Sequence, residues 1–357
     1  MAGRGGGVAV LRCGTDGRVG GRTNRSRTVS FDAREPASGH AGVAPRNRTV
    51  APKEPSMSTH EITEGSVVVG VDGSPSSESA LRWAVTESRR TRRPLHVVHA
   101  LGTELMLSDQ QQLGTKEAPA SSDPVVIAAL DVVRTMAPEL QATPHSITGF
   151  APDTLIAASK VAGTVVVGAH GRSAIPTVLL GSVSQQVAIH SSCPVVVVRE
   201  SRTQGGVGSG HVVVGVDGSE ASEPALGYAF AYAASTGRSL TAVHTWWWEP
   251  MEGLSLDEPW ARDWTQIARQ EEALVAESLA GWSEKYPDVP VRRYVVRGDP
   301  VAELLGQSHG ASLLVVGSRG RGGFIGLVLG SVSRRILKRA TCSVAIVRSV
   351  GVDQPAT

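Results

Sequence analysis

The sequence predicts an α/β fold built twice over: two tandem Rossmann-like domains, each a parallel sheet covered by helices on both faces. The first observation behind this is an internal repeat, the mark of a duplicated unit. Ser66-Val-Val-Val-Gly-Val-Asp-Gly-Ser74 recurs as His211-Val-Val-Val-Gly-Val-Asp-Gly-Ser219, 145 residues later. Val165-Val-Val-Gly-Ala-His-Gly-Arg172 recurs as Leu314-Val-Val-Gly-Ser-Arg-Gly-Arg321, and Leu180-Gly-Ser-Val-Ser184 as Leu329-Gly-Ser-Val-Ser333, both 149 residues later. The second observation is that short apolar runs alternate with stretches of helical spacing, which implies βαβ units and a parallel sheet. The third is composition: 41% of the 357 residues are hydrophobic but only 4% are aromatic, so the cores must be built mostly from Val, Leu, Ile and Ala.

The elements follow in order. Val67–Val71, Leu95–His99, Val165–Gly168 and Val195–Val198 are continuous apolar runs rich in Val, as expected for strands buried on both faces. After the first strand Ala80, Leu81, Ala84 and Val85 share one helical face, and Ala225, Leu226, Ala229 and Phe230 share the corresponding one. Ser74 is placed to cap the first helix, with Pro75 at its opening position, where a missing N–H costs little. The repeats span 62–200 and 211–349, and the Gly-rich segment 201–210 between them reads as a flexible linker.

Residues 1–61 have neither periodicity and read as a disordered basic leader, and 350–357 as a disordered tail. Nine Arg and one Lys against four acids give residues 1–56 a charge of +6, so the rest of the chain carries −4 behind an overall +2. Met57, just before the first strand, is the expected start if the leader is an over-extended reading frame. An acidic body argues against nucleic acid as the partner. Three cysteines fit a reducing, cytoplasmic setting, and no apolar run approaches the ~18–20 residues that span a bilayer.

Ligands of doubly wound sheets sit beyond the strand C-termini, where strand order reverses. Asp72 and Asp217 close the first strand of each repeat, and a carboxylate there can accept hydrogen bonds from vicinal ribose hydroxyls. The fourth strand ends in Gly168-x-x-Gly171, followed after nine residues by Gly181-Ser182; the second repeat has Gly317-x-x-Gly320, nine residues, then Gly330-Ser331. Glycines let N–H groups approach an anion closely, and Gly-Ser opening a helix adds a hydroxyl and the positive dipole end. An acid for ribose and a glycine-hydroxyl cradle for phosphate describe a nucleotide site. The chain has no G-x4-G-K-[ST], and Ile325 stands where a G-x-G-x-x-G reading from Gly320 needs its last glycine.

The V-G-V-D-G-S strand, the G-x2-G-x9-G-S loop and the Cys193-Pro-Val-Val-Val197 final strand resemble the universal stress protein family in its tandem, ATP-binding form. That resemblance implies a five-stranded parallel sheet per domain, of the adenine nucleotide alpha hydrolase-like type, and ATP, with or without Mg2+, as the ligand. It implies that Asp72 and Gly168 hold the ribose, that Gly171, Gly181, Ser182, Val183 and Ser184 hold the phosphates, and that the Ala100 backbone meets adenine. In the second repeat it implies the same roles for Asp217, Thr245, Gly317, Gly320, Gly330, Ser331, Val332 and Ser333. It also implies an intramolecular pseudo-dimer through the last strands and further homodimerisation.

The repeats differ where Gly149-Phe-Ala-Pro152 replaces the Gly298-Asp-Pro300 of the second, and where Pro176 stands against Gly322-Gly323. His99 and His244 lack partners at ligand spacing and read as structural, and Cys193 and Cys342 read as buried hydrophobes. The Trp246-Trp-Trp248 cluster reads as domain packing ahead of base stacking or a partner surface, and Arg334, Arg335, Lys338 and Arg339 as a solvated basic face. No base, nucleophile and orienting group converge, so an enzyme is not expected, although slow ATP hydrolysis is compatible with gripped phosphates. The family resemblance implies an ATP-binding regulator of the stress response. The alternatives are an ATPase or nucleotidyl-transfer enzyme on the same site, and a nucleotide-free structural or chaperone-like module.

Overall fold

A computed structural model of the chain describes residues 62–102, 119–172, 180–199, 210–246, 264–321 and 329–348. The leader, the tail and all of the linker but Gly210 lie outside the described residues, as do Pro176, Gly322-Gly323, Trp247 and Trp248. The first half runs β1 (Val67–Gly70), α1 (Pro75–Thr91), β2 (Leu95–Ala100), α2 (Pro124–Met136), β3 (Ala142–Ile147), α3 (Ala151–Ala158), β4 (Thr164–Gly168), α4 (Ser182–His190) and β5 (Val195–Val198). The second repeats it as β6 (Val212–Gly215), α5 (Glu223–Thr236), β7 (Leu240–Trp246), α6 (Trp264–Lys285), β8 (Val291–Arg297), α7 (Pro300–Gln307), β9 (Leu313–Gly317), α8 (Ser331–Arg339) and β10 (Val344–Val347).

All ten strands form one sheet in the order β3-β2-β1-β4-β5-β10-β9-β6-β7-β8. Pairing is parallel within each half, and β5 meets β10 antiparallel with Val196 opposite Ala345. Alternation along the strands sends residues to two cores. Val67, Val69, Val196 and Val198 pack under α1, α2, α5 and α6, while Val68, Val195 and Val197 pack under α3, α4, α7 and α8. Every residue of the two anticipated helical faces is buried, and Ala225, Leu226, Ala229 and Phe230 are wholly inaccessible. Burying such side chains contributes about 1.5–3 kcal/mol for each large one.

The helix starts differ between the halves. Ser74 caps α1, its hydroxyl accepting from the Ser77 N–H at 3.2 Å, with Pro75 at the first position. In the second half Ser219 turns its hydroxyl to Asp217 instead, and a short 3-10 turn, Glu220–Ser222, precedes α5. The helices also join the halves: Trp83 of α1 stacks on Tyr232 of α5 with ring centres 6.2 Å apart, and Arg90 donates to Ser235 at 2.5 Å. Strand order reverses between β1 and β4 and again between β6 and β9, so each half opens one crevice at its strand C-termini.

Candidate functional site

The first crevice is a cleft of 470 Å³ that brings together Asp72, Ala100, Gly168, Gly171, Gly181, Ser182, Val183 and Ser184. The second, of 610 Å³, gathers Asp217, Thr245, Gly317, Gly320, Gly330, Ser331, Val332 and Ser333. Residues up to 112 positions apart in the first half and 116 in the second thus share a wall.

Each cleft is organised around its aspartate. The turn after β1 needs a left-handed residue, and Gly73 (φ 79°) and Gly218 (φ 71°) supply it without strain. That turn sends the Ser74 N–H back to Asp72 Oδ1 at 3.0 Å, and the Arg172 N–H of the glycine loop donates to Oδ2 at 3.0 Å. In the second half Asp217 accepts from the Ser219 N–H and hydroxyl at 3.0 and 2.6 Å and from the Arg321 N–H at 2.7 Å. Burial by itself would raise both carboxyl pKa values, but these hydrogen bonds outweigh it and hold both below the usual value. Both are carboxylates at neutral pH, and a carboxylate with about four acceptor positions keeps capacity after these bonds.

Opposite the aspartate stands a helix start. Gly181 and Gly330 lead into α4 and α8, and neither helix has a side-chain cap at its start. The opening N–H groups of both helices, with the exposed hydroxyls of Ser182 and Ser331 beside them, form a positive, donor-rich end. Ser184 and Ser333 behave differently from their neighbours. Their buried hydroxyls donate to the Gly168 and Gly317 carbonyls at 2.5 and 2.6 Å, stapling each helix to the end of its strand.

Several cleft residues escaped the sequence reading. The Ser76 hydroxyl accepts from the His170 N–H at 3.2 Å and the Ser77 hydroxyl from the Asp72 N–H at 3.3 Å. Leu155 and Leu304 form the apolar floors. In the second cleft His244 Nδ1 lies 2.8 Å from the Val216 carbonyl and Nε2 lies 2.9 Å from Glu271 of α6. His244 is therefore a cleft residue and not only a core one, a pairing that no local spacing signals. His99 has the structural place expected of it. Its Nδ1 meets Asp123 at 2.7 Å, and Asp123 caps α2.

Trp246 also lines the second cleft, stacked on Trp264 with centres 6.1 Å apart, which departs from the domain-packing reading. The basic face of α8 is exposed, with Arg335 paired to Asp299 at 3.2 Å. Burial pushes the Cys193 thiol up to about 12 and raises that of Cys342, so both stay protonated.

The family model described as Universal stress protein family matches residues 65–199 and again 208–348. The chain belongs to the universal stress protein family. It is 36% identical over 298 residues to a universal stress protein of Mycolicibacterium smegmatis, covering 80% of this chain and 98% of that protein. It is 36% identical over 299 residues to Universal stress protein Rv2623 of Mycobacterium tuberculosis, covering 79% and 96%. Among solved structures it is similar to a universal stress protein from Archaeoglobus fulgidus, with TM-score 0.50, 21% identity and coverage of 80% and 98%. A functionally unknown protein, PA1789 of Pseudomonas aeruginosa, shares the fold at TM-score 0.56, 14% identity and coverage of 82% and 95%. The tandem universal stress protein architecture thus accounts for both halves and for the α/β fold. Among the described residues no helix is long and apolar enough to cross a membrane.

Proposed function

We propose that each half of this universal stress protein binds one ATP and that occupancy regulates the protein in a cytoplasmic stress response, without turnover as its purpose. The observation that carries this reading is the clamp between Asp72 Oδ2 and the Arg172 N–H, repeated between Asp217 and Arg321, which holds an acceptor carboxylate beside an uncapped helix start. Asp72 and Asp217 would take the ribose hydroxyls on their remaining acceptor positions. The N–H groups opening α4 and α8, with Ser182 and Ser331, would take the phosphates. Ala100 and Thr245, which line the two clefts, would meet the base. Mg2+, which is usually bound through substrate phosphates, would enter with the ATP. Because β5 and β10 already cover one another, a second copy of the chain would dimerise through other surfaces.

A second reading, an ATPase or nucleotidyl-transfer enzyme, is favoured by one feature: the His244–Glu271 pair facing the second cleft is a candidate proton-transfer pair. Calorimetric titration with ATP, alongside a phosphate-release assay, separates the readings. Two equivalents of ATP, one lost in Asp72→Ala and one in Asp217→Ala, with hydrolysis well below ~1 per second, support a regulator. Turnover at or above that rate that falls in His244→Gln indicates the enzyme. No uptake at all indicates a nucleotide-free module and overturns the proposal.

A further inference from the structure

Each last strand ends in an arginine that crosses to the other half. Arg199 follows β5, and its Nη2 donates to the Leu337 carbonyl in the last turn of α8 at 2.5 Å. Arg348 follows β10, and its Nη2 donates to the Ala188 and Ile189 carbonyls in the last turn of α4 at 2.6 and 2.7 Å. Arg348 lies 149 residues after Arg199, and Leu337 lies 149 after Ala188, so one contact is made twice in opposite directions. Last-turn carbonyls have no intrahelical partner, and a cation there also complements the negative end of the helix.

α4 and α8 are the helices whose opposite ends face the two clefts. Each is stapled at its start to its own half, by Ser184 on Gly168 or Ser333 on Gly317, and held at its end by the other half's arginine. The arginines are themselves one residue from the opposite rim. Val347 pairs with Gly317 and accepts from the Ser318 N–H at 2.7 Å; Val198 pairs with Gly168 and accepts from the Ala169 N–H at 3.0 Å. The route from α4 through Arg348 and Val347 to the second glycine loop is therefore continuous, and its counterpart runs from α8 through Arg199 to the first.

We propose that these reciprocal arginine caps couple the two clefts, so that nucleotide in one half raises the affinity of the other, with Arg199 and Arg348 as positioning residues. The proposal rests on the nucleotide-binding reading above. A helix of nine residues moves as one rod about 13 Å long. An anion that orders its start therefore orders its capped end, and with it the arginine and the neighbouring strand end. The second anion then meets a rim already ordered and gives up less entropy on binding, which is positive coupling.

The test is calorimetric titration of the full chain with ATP, with Asp217→Ala and Asp72→Ala supplying the affinity of each site alone. In the wild type the second equivalent should bind about fivefold or more tighter than those isolated constants allow, and in Arg199→Met/Arg348→Met the sites should become independent. A wild-type isotherm reproduced by the isolated constants overturns the coupling while leaving nucleotide binding intact. Hydrogen exchange without ligand checks the caps separately: Arg348→Met should speed exchange in 182–190 and spare 331–339, and Arg199→Met should do the reverse. Unchanged exchange in both overturns the caps. Where the methionine chains do not fold, Arg199→Lys/Arg348→Lys, which keeps charge but loses the fork, should show intermediate coupling; full wild-type coupling there overturns the assignment to the guanidinium. No ATP uptake by the wild type fails the binding reading, and the coupling falls with it even where exchange upholds the caps.

Discussion

Gly171 lies so close to Asp72 that a Cβ on the glycine would stand 2.8 Å from Oδ2, and Gly320 repeats the contact with Asp217 at 2.5 Å. The glycine loop is thus shaped in part by the carboxylate it embraces. The two anticipated site residues are one mechanical unit, because the loop can donate the Arg172 or Arg321 N–H only if nothing larger than hydrogen intervenes. Gly171→Ala and Gly320→Ala should each weaken ATP binding at their own half about tenfold, roughly 1.4 kcal/mol, and leave the other stoichiometric equivalent in place. Site-resolved calorimetry checks this; affinities unchanged in both variants would show that the aspartate clamp is not needed for binding.

Acid should loosen both clamps. Asp72 and Asp217 have folded pKa values below the unfolded value near 3.9, so their stabilisation is fully present above that value and is lost as pH falls through the folded one. Melting temperature followed from pH 6 to 3 should fall more steeply in the wild type than in Asp72→Asn/Asp217→Asn, whose amides do not ionise. Parallel curves would remove the carboxylates from the acid response.

A different acid response comes from the first half's edge. His96 Nδ1 lies 2.9 Å from His145 Nε2, both side chains are buried, and burial followed by repulsion from His145 lowers His96 to about 4. The native state keeps His96 neutral while the unfolded chain protonates near 6.5. Stability should therefore decline as pH falls from about 6.5 to about 4 and level off below. His96→Gln should flatten that window in a urea-melt series; an unaltered slope between pH 6.5 and 4 would assign it to other groups.

Asp299 and Phe150 occupy the same position before α7 and α3 but differ in chemistry. The Asp299 carboxylate accepts from the Ala302 N–H at 2.8 Å and pairs with Arg335, whereas Phe150 offers no cap and stands 54% exposed. Asp299→Ala should cost about 1 kcal/mol, and Phe150→Asp should stabilise by a similar amount by supplying the missing cap. Differential scanning calorimetry reads both; a destabilised Phe150→Asp would mean that the aromatic ring contributes more than a cap would.

Local pattern alone determined the duplication, the Val-rich strands, the buried faces of α1 and α5, and ten cleft residues: Asp72, Gly168, Gly171, Gly181, Ser182 and their counterparts Asp217, Gly317, Gly320, Gly330 and Ser331, while Ala100, Val183, Ser184, Thr245, Val332 and Ser333 came from the family resemblance. These are legible because a parallel sheet buried on both faces demands unbroken apolar runs, and because a strand-end turn demands Asp-Gly and glycine at fixed places. β3, written Ala-Thr-Pro-His-Ser-Ile, and β8, with three arginines, carry no such run. They are edge strands, exposed on one side, so periodicity does not mark them and only the family resemblance anticipated a fifth strand. Tertiary structure alone decided what depends on residues far apart meeting. Glu271 comes to His244 because α6 packs beside β7, and Trp246 turns to the second cleft because Trp264 backs it. Arg199 reaches Leu337 and Arg348 reaches Ala188 because β5 and β10 lie side by side. A side chain's partner across a sheet is set by strand order, and strand order leaves no trace in the spacing of neighbours along the chain.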